Sequence, residues 1–172
     1  KIFSARREDG RSLPRERYLE GRALVGLGQT ETGIQRILDF AEDNTTRPEL
    51  AIELAGYLDE RLQSNAAIRV LSGFLQHQPM DPLVNQGLLQ LLVEARDPSA
   101  RQPEEVLKRV PLLFPEDAET DSRSMPFRLL YVDALFALGR RTQGTQVLFA
   151  LDKAVNNHEL VLERFERYGI QR

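Results

Sequence analysis

Three prolines, Pro14, Pro48 and Pro82, stand 34 residues apart, and each opens a stretch with the same layout. Proline suits the first turn of a helix, where its missing N–H has no intrahelical acceptor. A 34-residue period marks helix–turn–helix units that stack as a solenoid, because each pair leaves an apolar face for a neighbouring pair to bury. With each proline as position 1, the second stretch places Ala51, Leu54, Ala55 and Leu58 at positions 4, 7, 8 and 11. That is one face of a helix. Gln63-Ser64-Asn65 interrupts the pattern. Ala67, Leu71 and Phe74 at positions 20, 24 and 27 make the stripe of a second helix, and Pro79 at position 32 stops it.

These residues resemble the tetratricopeptide repeat, which favours Leu at 7, small residues at 8 and 20, Gly at 15 and Pro at 32. The second unit supplies Leu54, Ala55, Ala67 and Pro79 at 7, 8, 20 and 32. The first has Gly21 at 8, Leu24 at 11, Gly28 at 15, Gly33 at 20 and Ile37 at 24. The third has Leu88 at 7 and Leu92 at 11, with Leu89 where a small residue belongs. A fourth is phased from Gly139 at 15, with Tyr131, Val132, Leu135, Gly144 and Leu148 at 7, 8, 11, 20 and 24. The resemblance implies an all-α fold, a right-handed α-solenoid of about four helix pairs. Its units lie at about 14–47, 48–81, 82–124 and 125–157, with a capping helix at 158–168, in a single domain over 1–172.

The small residues have a mechanical reason. A helical glycine costs about 1 kcal/mol relative to alanine, so Gly21, Gly33 and Gly144 are expected where the helices of a pair cross closely. The expected core is Leu24, Ile37, Leu54, Leu58, Leu71, Phe74, Leu88, Leu92, Val106, Tyr131, Leu135, Leu148 and Phe165.

Between Pro82 and Met125 the spacing grows to 43 residues. Residues 97–103 (DPSARQP) lengthen the turn of the third pair, and 115–124 (PEDAETDSRS) lengthen the link to the fourth. The link has no large apolar residue and is expected to be an exposed, mobile loop. Pro103-Glu104-Glu105 reads as a helix start, and Pro111 should end or kink that helix. Leu162, Phe165 and Tyr168 share one face of the last helix, with Gly169 as its stop. Residues 1–11 match no position, and with no initiator Met the chain is expected to be a fragment or processed product; Ile2, Phe3 and Ala5 read as the end of a preceding helix.

Composition sets outer bounds. No apolar run approaches the ~18 residues of a membrane span. Without cysteine there is no thiolate chemistry, which suits cytoplasm and bacterial periplasm equally. A net charge of −3 argues against a general nucleic-acid binder. Charge is uneven: residues 1–22 carry net +3 and residues 31–60 net −6. The two histidines, His77 and His158, stand far apart and have no second ligand at metal spacing. Neither a nucleophile elbow nor a phosphate loop is present, and Glu104-Glu105 belongs to a helix start. The expectation is a non-enzymatic chain without cofactor or metal.

Binding remains. In tetratricopeptide arrays the first helix of each pair lines a concave groove, mainly through positions 2, 5, 6, 9, 12 and 13. The resemblance therefore implies groove residues Arg15, Tyr18, Arg22, Glu53, Asp59, Gln86, Gln90 and Asp133. The Lys and Asn set by which some members hold a chaperone's carboxylate is absent. The expected partner is a protein or peptide segment, with an acidic end near Arg15 and Arg22. The stretch from Glu53 to Leu92 is similar in texture to arrays in envelope-assembly proteins, so a role within a larger assembly or envelope-biogenesis protein is one context. Two alternatives stand beside it: a scaffold that forms homo-oligomers through its terminal repeats, and a domain that senses a small ligand or glycan.

Overall fold

The structure, a computed structural model, describes residues 14–115, 120–155 and 158–172, with only the backbone of Pro14 and Arg15. Among the described residues the chain is all-helical. The helices are α1 (Pro14–Gly26), α2 (Thr30–Glu42), α3 (Pro48–Asp59), α4 (Ser64–His77) and α5 (Pro82–Glu94). A single 3-10 turn at Pro98–Ala100 precedes α6 (Pro103–Leu113), α7 (Met125–Ala137), α8 (Arg141–Val155) and α9 (Glu159–Arg167). Two compact units divide inside α5, between Val84 and Asn85. Residues 1–11 of the sequence, and 116–119 of the acidic link, lie outside the described residues.

In the first unit α1 packs on α2, α3 on α4, and α2 on both α3 and α4. The expected tight crossing lies between α1 and α2. A Cβ built on Gly21 would stand 2.9 Å from the Gly33 carbonyl oxygen, and one on Gly33 would stand 2.7 Å from the Gly21 oxygen and 2.8 Å from the Val25 nitrogen. Two backbones therefore touch where any side chain would hold them apart. Ala55 and Ala67 hold the corresponding positions of α3 and α4, and both are buried. Ile37, Leu54, Leu58, Leu71 and Phe74 fill this core as expected, whereas Leu24 is only half-buried.

In the second unit α7 packs on α6 and α8, and α9 on α8. Met125, Leu129, Val132, Leu148, Leu151, Val161 and Phe165 form one apolar cluster. Tyr131 is half-buried. A Cβ on Gly144 would meet the Phe136 ring at 2.7 Å. The close approach here is backbone to ring, not backbone to backbone.

One backbone bond recurs at position 11. The N–H of Gln29 donates to the Leu24 carbonyl at 2.9 Å, that of Gln63 to Leu58 at 2.9 Å, and that of Arg140 to Leu135 at 2.8 Å. Each bond closes a Schellman turn, which returns an orphan carbonyl of the first helix to a partner at the start of the second. The residue before the donor has positive φ: Gly28 at 82°, Leu62 at 60° and Gly139 at 71°. After α5 the Leu92 carbonyl accepts instead from Gln102 at 2.7 Å, ten residues on rather than five. The inserted residues loop out while the bond survives. Asp97 organises that loop by accepting from the Ser99 N–H and hydroxyl, and those two bonds hold its carboxyl below the usual range.

Two expectations are adjusted. Helix α6 runs through Pro111 and ends at Leu113. Proline this near the end removes a single ladder bond, so the cost falls in a turn about to stop. The acidic link is not loose throughout: Asp121 Oδ1 accepts from the N–H of Arg123 (3.0 Å) and Ser124 (2.7 Å). That ties the described end of the link to the start of α7, with Ser124 buried.

Candidate functional site

Helices α1 and α3 bring four side chains together in the first unit. Tyr18, at position 5, is buried and stacks on Phe40 with ring centroids 5.7 Å apart. Its hydroxyl donates to Glu53 Oε1 at 3.0 Å and accepts from Arg22 Nη1 at 3.3 Å. The phenol thus bridges an acid and a base that form no direct ion pair. Burial first, and then the bond to Glu53, raise the Tyr18 pKa, so the hydroxyl stays protonated and can keep donating. Tyr57, a turn beyond Glu53, donates its hydroxyl to the Arg22 carbonyl at 3.3 Å.

Two guanidinium groups lie over the Tyr57 ring, that of Arg22 at 4.7 Å from the centroid and that of Arg61 at 3.9 Å. Arg22 also stands 5.4 Å from the Tyr18 centroid. Each such contact is worth roughly 0.5–1 kcal/mol at an exposed site. The rings orient the arginines without neutralising them. Both arginines are exposed, and among the described residues neither makes an ion pair.

The matching place in the second unit is built differently. Asp133, at position 9 of its stretch like Arg22, is 2% exposed. It does not line an open surface. Oδ2 pairs with Arg164 Nη2 at 3.1 Å, and Oδ1 accepts from the Tyr168 hydroxyl at 2.7 Å. A carboxylate buried in an apolar helix must be paired, and α9 with the residue that ends it supplies both partners. The Tyr168 ring stacks on Phe136 at 3.8 Å and 7°. Burial, followed by the bond to Asp133, pushes the Tyr168 phenol well above its ordinary pKa. Arg167 adds a bond to Glu94 at 2.9 Å.

The remaining expected groove residues scatter among roles. The Arg15 side chain lies outside the described residues. Asp59 accepts from the hydroxyl of buried Ser64, fixing the turn between α3 and α4. Gln86 is half-buried, and exposed Gln90 donates to Glu94 on its own helix at 3.4 Å. Of the eight residues, the structure brings together Tyr18, Arg22 and Glu53. Tyr57 and Arg61 belong with them but stand at positions 10 and 14, outside the groove pattern. The signal was available only in outline: an aromatic and a cation four residues apart would share a face if the helix ran on, but α3 ends at Asp59 and Arg61 lies in the turn after it.

Among the described residues no group of three His, Asp or Glu side chains is placed to hold a metal ion. No described helix is long and apolar enough to cross a membrane. No family model, curated protein or solved structure matches the chain.

Proposed function

We propose that this chain is a right-handed solenoid of about four tetratricopeptide-like helix pairs with a terminal capping helix. It acts without catalysis, as a module that holds a segment of another protein. The phasing supports the architecture: helices start at Pro14, Pro48, Pro82, Met125 and Glu159, and the position-11 carbonyl accepts a backbone N–H in every pair, five residues on in three of them and ten residues on in the third pair. The observation that carries the binding role is the Tyr18–Arg22–Glu53–Tyr57–Arg61 cluster, built from α1, α3 and the turn that follows α3. It offers oriented, exposed donors and one exposed acceptor on a preformed frame. Preorganised polar groups beside aromatic rings lower the ordering cost of binding, and Tyr and Arg are the residues on which binding energy most often concentrates.

The test is a photo-crosslinking residue at exposed Leu19, on α1, with a second at exposed Lys153 as control. A captured partner is then reduced to the peptide that carries the crosslink, and that peptide is titrated against the purified chain. Direct binding, lost in Tyr18→Ala but retained in Lys153→Ala, supports the module. Binding that is indifferent to Tyr18, with the chain running as a stable oligomer in sedimentation, replaces the module with a self-associating scaffold.

A further inference from the structure

The partner chemistry follows from two guanidinium groups of the α1–α3 surface that make no ion pair among the described residues, an inference that rests on the binding role just proposed. Arg22 and Arg61 converge on one tyrosine ring. Like charges drawn to one ring repel each other. The ring face attracts each of them but cancels no charge. Arg22 spends one N–H on the Tyr18 oxygen, and a guanidinium has five donors. Glu53, on the other side of the Tyr18 hydroxyl from Arg22, accepts from that hydroxyl at 3.0 Å. The second unit shows the alternative within the same chain. There the position-9 residue is a carboxylate, and a guanidinium together with a tyrosine hydroxyl closes on it. In the first unit the position-9 residue is the guanidinium itself, and among the described residues no carboxylate pairs with it.

We infer that Arg22 and Arg61, held against the Tyr57 ring, form a receptor for the carboxylate side chains of an acidic, extended segment of a partner protein. Charge-assisted bonds from guanidinium to carboxylate are the strong class of polar contact. Arginine prearranged on an aromatic face loses less freedom on forming them than a free side chain does. Glu53, exposed beside the pair, sets the polarity of the segment. A residue that follows the carboxylates toward Glu53 must be neutral or basic, since a further acid there meets like charge.

The probe is a fluorescein-labelled hexaglutamate peptide, read by anisotropy at low and high salt against hexalysine and hexaserine of the same length. Hexaglutamate should bind best and weaken as salt rises. Arg22→Gln with Arg61→Gln should reduce its affinity at least about tenfold, the scale of one lost charged hydrogen bond, and flatten the salt dependence. Lys153→Gln should change neither. Circular dichroism of the double variant should match the parent, since both side chains are exposed. Hexaglutamate binding unaltered in the double variant overturns the inference, as does a preference for hexalysine. The two failures are separable. A crosslinked peptide that is neutral or basic, and that depends on Tyr18 but not on Arg22 or Arg61, removes the acidic partner and leaves the binding module. Loss of all peptide binding on α1 and α3 removes both.

Discussion

The two units place the same three positions together and use them to opposite ends. In the first, Arg22 at position 9 meets Tyr57 at position 10 of the next stretch, beside Glu53 at position 6. In the second, Asp133 at position 9 meets Tyr168 and Arg164 in the same relation. The charges are exchanged, and so is the exposure: Arg22 is open to solvent, and Asp133 is 2% exposed. Position 5 explains part of the difference. Tyr18 there puts a hydroxyl between acid and base, while Leu129 in the second unit offers nothing polar, so the ions must meet directly. One arrangement consumes its charges in joining α9 to α7. The other leaves its guanidinium groups without an ion pair among the described residues.

The largest effect should come from position 9 itself. Asp133→Ala leaves the Arg164 guanidinium, 14% exposed, without its buried partner. Breaking one side of a buried pair costs about 3–5 kcal/mol, so the urea midpoint should fall steeply. Arg22→Ala removes an exposed side chain and its two ring contacts, and should cost about 1–2 kcal/mol. Equal losses in the two variants would mean that the two sites are not the counterparts described.

Tyr168 gives the same contrast through pH. Its phenol is raised above the ordinary value, by burial first and then by Asp133. The unfolded chain releases that proton near ~10, while the fold retains it. The neutral phenol's contribution is therefore complete below about pH 10 and is lost as pH climbs through the higher folded value. Absorbance at 295 nm should show the Tyr168 phenolate appearing together with unfolding of the second unit. Ionisation in a folded chain near pH 10 would contradict the buried bond.

The helices could be read from the sequence because proline starts, apolar spacing and glycine stops are local signals. Pro48, Pro82 and Pro103 each open a helix as expected, and Gly28, Gly139 and Gly169 take the positive φ that ends one. Tyr18, Arg22 and Glu53 could be read as neighbours because the period put them on one face. The fate of Asp133 could not be read this way. Whether a polar position is open or covered depends on what α9 brings over it, and Arg164 and Tyr168 lie 31 and 35 residues further on. Periodicity assigns a face; it does not say that the face is covered.

Glycine packing is the next contrast. Gly33→Ala drives a methyl into the Gly21 oxygen at 2.7 Å and the Val25 nitrogen at 2.8 Å, atoms that cannot rotate away. Overpacking of this kind costs about 1–3 kcal/mol. Gly144→Ala meets only the Phe136 ring at 2.7 Å. A ring can tilt, but this one is stacked on Tyr168, so the loss should be smaller than for Gly33 and should appear partly as a changed near-ultraviolet signal of the aromatic pair. A larger loss at Gly144 would show that the ring stack is the stiffer of the two crossings.

The smallest effect separates two turns of one design. Leu62 in the first unit and Gly139 in the second hold the same left-handed place, at φ 60° and 71°. The following residue sends its N–H back to the position-11 carbonyl at 2.9 and 2.8 Å. An L side chain in that conformation costs roughly 1–2 kcal/mol that glycine does not. Leu62 recovers little by burial, since it is 62% exposed. Leu62→Gly should therefore raise stability by about 0.5–1 kcal/mol, the strain relieved less the greater freedom of glycine in the unfolded chain. Gly139→Ala should lower it by about 1 kcal/mol, because nothing lies within 4 Å of the added carbon and only the backbone objects. The pair of melting curves should move in opposite directions. If Leu62→Gly is destabilising instead, the leucine contributes a contact that its exposure hides, and the first unit's turn is held by packing where the second's is held by conformation alone.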